Sequence, residues 1–205
     1  GYSAPRDGNP ALRKTLVVMV KEPRPGRVKT RLGKDIGLTS SAWWFRHQVK
    51  ALLRRIESPK WDVVLAVAPD VEGLCSRVWP AYLPRIPQGR GDLGDRMARV
   101  FLTLPVGPVC IIGADIPGVT RTRISEAFEA LGGNDAVYGP ADDGGYWLVG
   151  MKRVGPVPTR LFDSVRWSTE FALEDSKCSM GNLRIADVAT LRDVDTVADL
   201  KSLSR

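Results

Sequence analysis

Histidine is nearly absent from this 205-residue chain; His47 is the only one. That excludes a zinc centre built on several histidines. A Ser-His-Asp triad would need His47, and no G-x-S-x-G elbow supplies the serine. Cysteine is scarce as well. Cys75, Cys110 and Cys178 lie far apart, form no C-x-x-C pair and are odd in number. This argues against a disulfide framework and fits a reducing, cytoplasmic setting. Cys110 sits in an apolar run and reads as a small buried hydrophobe. No run approaches the ~20 apolar residues of a membrane-spanning helix. Gly1 to Asn9 are polar and lack the apolar core of a signal peptide. Residues 1–14 are expected to form a flexible N-terminal segment. No repeat, low-complexity tract or linker divides the rest, so residues 15–205 read as one domain.

Charge is plentiful and unbalanced. Thirty Lys and Arg against 23 Asp and Glu give a formal net charge of +7. A basic chain invites a nucleic-acid reading. Here, however, the cations are spread over nearly every segment, and no helix carries a basic run with interleaved aromatics. An anionic small molecule, such as a nucleotide or sugar phosphate, accounts for the charge as well, and no nucleic-acid partner is expected.

Apolar patterning sets the fold class. Thr15–Val20, Asp62–Ala68, Pro108–Gly113, Asp135–Tyr138 and Tyr146–Gly150 read as strands. Between them, Ser40–Ile56, Asp92–Leu104 and Thr120–Leu131 place apolar residues on one helical face. A last helix, Thr196–Leu203, begins with a capping-box-like Thr196-x-x-Asp199. Val63–Val67 and Val109–Ile112 are almost continuously apolar, as strands buried on both faces are. Alternating strands and helices imply an α/β fold with a mostly parallel sheet covered on both sides. The portion beyond about Lys152 is less regular.

Four clusters carry candidate chemistry. The first follows the first strand: Lys21-Glu22-Pro23-Arg24-Pro25-Gly26-Arg27-Val28-Lys29-Thr30-Arg31. Open α/β sheets bind ligands outside the carboxyl ends of their strands. Amides freed by Gly26, together with Lys21, Lys29, Thr30 and Arg31, suit a diphosphate; the competing reading is a solvated basic loop. The second cluster, Gln88 to Met97, is a glycine-rich loop entering a helix whose first turn holds Asp92 and Asp95. Those carboxylates compete with an anion for the helix amides. Gln88, Asp92 and Gly94 are therefore expected at a base or ribose. The third is Gly113-Ala114-Asp115-Ile116-Pro117, a strand ending in a carboxylate. Asp115 could hold Mg²⁺ or Mn²⁺, whose shell phosphate oxygens and water complete; equally, it could cap a turn. The fourth is Asp142-Asp143-Gly144-Gly145-Tyr146-Trp147. It reads as a hairpin turn, or as a substrate-facing loop with Asp143 as base or hydroxyl anchor. Trp147 and Trp167 could stack on a sugar or base, or simply pack.

Together these clusters resemble the family of nucleotide-diphospho-sugar transferases labelled DUF2064, or glycosyltransferases of the arsenosugar-biosynthesis type. The similar text is Lys21-x-Pro23-x-x-Gly26-x-Val28-Lys29-Thr30-Arg31-Leu32, then Gln88-x-x-Gly91-Asp92-Leu93-Gly94-x-Arg96-Met97. It continues through Gly113-x-Asp115-x-Pro117 and Asp143-Gly144-Gly145-Tyr146-x-Leu148-x-Gly150. Late matches are Leu161-Phe162, Trp167-Ser168-Thr169 and Asp193-Val194-Asp195-Thr196. The resemblance implies a three-layer α/β/α sandwich of GT-A-like, Rossmann-like type. It implies a nucleotide at the strand ends, a metal on Asp115 and phosphates wrapped by the basic loop. Ile116 stands where cysteine is common in the family, and Trp147 where tyrosine is.

Three functions compete at this point. One is a metal-dependent glycosyltransferase using a nucleotide-diphosphate sugar and a small-molecule acceptor. In it Asp115 and Asp143 are catalytic, and Asp142, Gly144, Gly145, Tyr146 and Trp167 hold the acceptor or sugar. The second is a guanylyltransferase-like nucleotidyltransferase acting on a phosphorylated acceptor. The third is a non-catalytic nucleotide-binding module. Asp193 and Asp195 are either second metal ligands or caps before the last helix.

Overall fold

The structure, a computed structural model, describes residues 12–22 and 38–191. Gly26, Lys29, Thr30, Arg31, Asp193, Asp195 and the expected helix Thr196–Leu203 lie outside the described residues. In chain order the elements are β1 (Thr15–Lys21), α1 (Leu38–Ile56), β2 (Asp62–Ala68), α2 (Asp70–Cys75), β3 (Arg85–Pro87) and α3 (Leu93–Thr103). They continue as β4 (Val109–Gly113), α4 (Arg121–Ala130), β5 (Ala136–Pro140), β6 (Tyr146–Met151), α5 (Ala172–Ser179) and β7 (Ile185–Asp187).

The strands form one seven-stranded sheet, ordered β3-β2-β1-β4-β6-β5-β7. Pairing is parallel from β3 through β4 and again between β5 and β7. β6 alone runs the other way, antiparallel to both β4 and β5. The expected mostly parallel α/β/α sandwich is therefore what forms. Alternation along each strand sends side chains to two cores. On one face Leu16, Val18 and Val20 of β1 meet Val49, Leu52 and Leu53 of α1, with Ile124 and Phe128 of α4. On the other, Val17 of β1 and Ile111 of β4 meet Met97, Val100 and Phe101 of α3. Each fully buried side chain of this size contributes about 1.5–3 kcal/mol.

Local chemistry sets the helix starts. Asp92 caps α3 by accepting from the Asp95 amide at 2.9 Å, while the Asp95 carboxylate accepts from the Asp92 amide at 3.0 Å. This reciprocal capping box satisfies two of the helix's unpaired donors. Thr120 caps α4 through the Arg123 amide. No helix among the described residues is long and apolar enough to cross a membrane. The short elements α2, β3, α5 and β7 have no counterpart among the sequence expectations. At three to eight residues each, they are too short for periodicity to stand out.

Candidate functional site

The chain leaves β1 for β2 and β3 on one side, then returns to lay β4 against the other side of β1. The carboxyl end of β1 and β4 is thus a topological switch point, where open sheets of this kind bind ligands. A cleft of about 450 Å³ opens there. This lies within the range of ligand pockets, roughly 300–1,000 Å³. Its walls are apolar where Met19, Ile111, Met97 and Val149 approach, with the Tyr146 side chain beside them. Its polar groups are Lys21, Gln88 and Arg96.

Antiparallel β6 brings the fourth sequence cluster to this end. Leu148 pairs with Ile112 and Tyr146 with Pro140. The turn holding Asp142 to Gly145 therefore sits at the carboxyl ends of β4 and β5. Tyr146 is held by a 3.0 Å hydrogen bond between its hydroxyl and that of Ser176 on α5. It also makes an edge contact with the Tyr138 ring. Burial pushes its phenol well above the usual range, so it stays neutral.

Asp115 lies just past β4 and is half-buried. Its Oδ1 stands 3.2 Å from the point where a Cβ on Gly113 would lie, and Gly113 lines the cleft. The carboxylate therefore rests against the cleft floor. Among the described residues no three His, Cys, Asp or Glu side chains gather as a metal centre. One carboxylate nonetheless fits a hard divalent ion that takes its other ligands from phosphate and water.

Several expected site residues have local work of their own. The Gln88 side chain is 3% exposed. Its amide donates to the carbonyls of Val20 (3.2 Å) and Ala66 (2.9 Å). Both amide hydrogens are thus spent on the ends of β1 and β2, which leaves none for a nucleobase. Asp92 is the α3 cap described above. Gly94 is a packing glycine: a Cβ there would stand 2.9 Å from both Phe162 Cβ and Trp167 Cζ2. Asp143 Oδ1 accepts from the Gly145 amide at 2.9 Å, closing the turn, and its Oδ2 has no such bond. At Gly144, φ is +84°, and a Cβ would lie 2.1 Å from the Glu170 carbonyl oxygen. That glycine serves the approach of the segment before α5. Trp147 is 2% exposed and donates to the Ala189 carbonyl, so it packs rather than stacks on a ligand. Trp167 leans on Tyr146 and Phe162 from behind. Lys21, Gln88 and Tyr146 are thus brought together in the cleft lining. Asp115 lies against it, and Asp142, Asp143 and Trp167 stand outside it.

Arg96 was not singled out from the sequence as a site residue. The Gln88 Oε1 accepts from its Nη1 at 3.1 Å, and the Gly91 carbonyl accepts from its Nε at 3.2 Å. Gly91, at φ +103°, permits that loop. The guanidinium is held at the cleft with Nη2 unbonded. The available signal was spacing: Arg96 falls one helical turn after the Asp92 cap, on the same side as the loop it grips.

The largely parallel, two-sided α/β/α sheet, with its cleft at the switch point, is that of the nucleotide-diphospho-sugar transferase fold class. Within it, the chain belongs to the DUF2064 family, described as an uncharacterized protein conserved in bacteria, which residues 51–169 match. A candidate nucleotide-diphospho-sugar transferase from Desulfovibrio desulfuricans is 30% identical, with a TM-score of 0.82 over 94% of this chain and 86% of that one. A CMP:2-keto-3-deoxy-manno-octonic acid synthetase in complex with CTP shares the fold at 12% identity and TM-score 0.57, covering 93% of this chain and 96% of its own. So does a Mycobacterium tuberculosis protein in complex with manganese, at 14% identity and TM-score 0.53, covering 94% and 98%. No curated protein matches the chain.

Proposed function

We propose that this protein transfers a glycosyl group from a nucleotide-diphosphate sugar to a small-molecule acceptor, with Mg²⁺ or Mn²⁺ held at Asp115. The observation that carries the reading is the cleft itself. An apolar slot for a base leads to two cations at the switch point of the sheet, Lys21 and the hydrogen-bonded Arg96. The donor class follows that of the Desulfovibrio relative, and the metal that of the manganese-bound neighbour.

The residues divide the work by chemistry. The slot between Met19, Ile111 and Tyr146 takes the base. Lys21 and Arg96 take the diphosphate, joined by the basic loop with Gly26, Lys29, Thr30 and Arg31. As the glycosidic bond breaks, negative charge grows on the departing diphosphate. Arg96, already held by Gln88 and Gly91, stabilises that charge without reorganising. A metal bound at Asp115 would supply Lewis-acid neutralisation of the same charge. Asp143, with Oδ2 unbonded, and Asp142 hold the acceptor hydroxyl, one of them as base.

Nucleotidyl transfer from a nucleoside triphosphate is the second reading, and the CTP-bound neighbour favours it. Thermal unfolding against nucleotide-diphosphate sugars, diphosphates and triphosphates, each with and without Mn²⁺, separates the two. A ligand at a hundred times its Kd adds ~2.7 kcal/mol. A metal-dependent shift with a nucleotide sugar, lost in Asp115→Asn, supports glycosyl transfer. A shift with triphosphates alone replaces that reading with nucleotidyl transfer. Unchanged metal dependence in Asp115→Asn removes Asp115 as the metal ligand.

A further inference from the structure

Against the sequence expectation, one helix does interleave basic and aromatic residues. α1 carries Trp43, Arg46, His47, Lys50, Arg54 and Arg55, and none of its 19 residues is Asp or Glu. Its four Lys and Arg thus account for more than half of the chain's net charge of +7. Phe45, Val49, Leu52 and Ile56 turn one side of the helix into the core. Arg55 is drawn aside, donating to the Val119 carbonyl at 2.8 Å. Trp43, His47, Lys50 and Arg54 follow at steps of four, three and four residues, which sets them in one line on the outer side. That line is about 16 Å long, and Trp43 stands at its end, 66% exposed.

A surface groove of about 760 Å³ adjoins the line. Lys50, Arg54, Arg77 and Tyr82 are among its walls, and no acidic side chain is. Arg85, also in the wall, is spent on the carbonyls of Gly73, Ser76 and Trp79. The Lys50 and Arg77 side chains have no partner among the described residues, and Arg54 reaches only the Lys50 carbonyl of its own helix, at 3.4 Å. Like charges four residues apart on a helix repel, and here no carboxylate relieves them. The complement of such a face is an anionic surface outside the molecule. Trp43 bears on which one. One face of its indole is covered by the His47 ring, parallel within 5° at 5.4 Å. Single-stranded nucleic acid uses open aromatic platforms on which successive bases stack. A half-covered indole among cations suits the headgroup level of a bilayer, where tryptophan rings settle.

We propose that the outer side of α1, with Arg77 in the adjoining groove, is a docking surface for a bilayer that carries anionic phospholipid. Headgroup phosphates meet Arg46, Lys50, Arg54 and Arg77, and Trp43 enters the headgroup layer. The apolar side of α1 stays in the core, so attachment is peripheral and sensitive to salt. It does not depend on the glycosyl-transfer reading.

Sedimentation of the full chain with sucrose-loaded vesicles, of phosphatidylcholine alone or in a two-to-one mixture with phosphatidylserine, tests it. Binding should require phosphatidylserine and weaken as salt is raised. Each cation near such a surface is worth about fivefold in partitioning. Arg46→Gln, Lys50→Gln and Arg54→Gln combined should therefore lose about a hundredfold. Glutamine is a good helix former, so the unfolding midpoint should hold. Arg121→Gln, Arg160→Gln and Arg184→Gln combined remove the same charge from other elements and should lose far less. Trp43→Ala should weaken binding while leaving its salt dependence unchanged. The proposal is overturned by no binding to the mixed vesicles, by equal binding to phosphatidylcholine alone, by equal loss from the two triple variants, or by full binding of Trp43→Ala. A single-stranded oligonucleotide that strips the protein from vesicles, and that the α1 triple variant no longer binds, would make this a nucleic-acid surface and overturn it too.

Discussion

Gly144 and Gly145 are neighbours in one turn, yet the structure predicts opposite responses to a methyl group. At Gly144, alanine must adopt φ near +84°, a left-handed conformation that costs an L-residue roughly 1–2 kcal/mol. Its Cβ would stand 2.1 Å from the Glu170 oxygen and 2.5 Å from the Glu170 Cα. Both are backbone atoms, so the segment before α5 must move. Overpacking of this kind costs about 1–3 kcal/mol. That movement breaks the 3.0 Å bond from the Leu173 amide to the Gly144 carbonyl, worth about 1 kcal/mol. Together these make Gly144→Ala destabilising by about 3–6 kcal/mol. At Gly145 the nearest atom is the Asp143 Oδ1 at 3.1 Å, the end of a side chain that needs to give by only a few tenths of an ångström and can keep its bond to the Gly145 amide. Gly145→Ala should cost less than about 1 kcal/mol. Equilibrium urea denaturation followed by tryptophan fluorescence measures both. With a slope of about 2–3 kcal/mol/M, Gly144→Ala should unfold roughly 1–3 M earlier. Because α5 carries Ser176, the partner of the Tyr146 hydroxyl, the same variant should also weaken ligand binding in the cleft. If Gly144→Ala is as stable as the parent, or Gly145→Ala is the worse of the two, the packing argument fails.

Gln88→Ala strips the donors from the Val20 and Ala66 carbonyls and the acceptor from Arg96. It should cost about 2–3 kcal/mol in denaturation and weaken nucleotide-diphosphate binding, whereas a purely base-reading Gln88 would leave stability intact. Burial pushes the Cys110 thiol well up, while Cys75 and Cys178 are exposed. A thiol reagent should titrate those two in the native protein and Cys110 only after denaturation; three fast thiols would refute the buried strand. The Arg166 side chain and backbone amide hold the Asp175 carboxyl down at about 2, below an unfolded value near ~3.9. A depressed folded pKa means the stabilisation is present above about pH 4 and is lost as pH falls toward 2. Carbon-13 titration of the carboxyl should give a midpoint near 2 that rises only part of the way to the ordinary range in Arg166→Ala, which keeps the backbone amide, and a midpoint near 4 in the parent protein would count against the pair.

Local pattern was enough to read β1, β2, β4, α3 and α4, because periodicity acts within a few positions. The caps at Asp92 and Thr120 emerged only with the structure, since Asp92 had been expected at a base or ribose. The family resemblance, carried by Gly113-x-Asp115-x-Pro117 and its companion motifs, likewise needs only the order of residues. The placement of β6 against β4 needed the three-dimensional structure, because strand pairing depends on partners over 30 residues apart. So did the division of labour in the site. Gln88 looked like a ligand residue until its amide met two carbonyls from distant strands. Gly94 and Gly144 looked like glycines kept open for a substrate until Phe162, Trp167 and Glu170 were seen filling that space. Arg96 was simply a charged residue until the fold set it beside the cleft with its guanidinium half bound. Sequence records which chemical groups are present and which face of an element avoids water. Which groups are already satisfied by the protein, and which still wait for a ligand, depends on long-range contacts that only the folded chain makes.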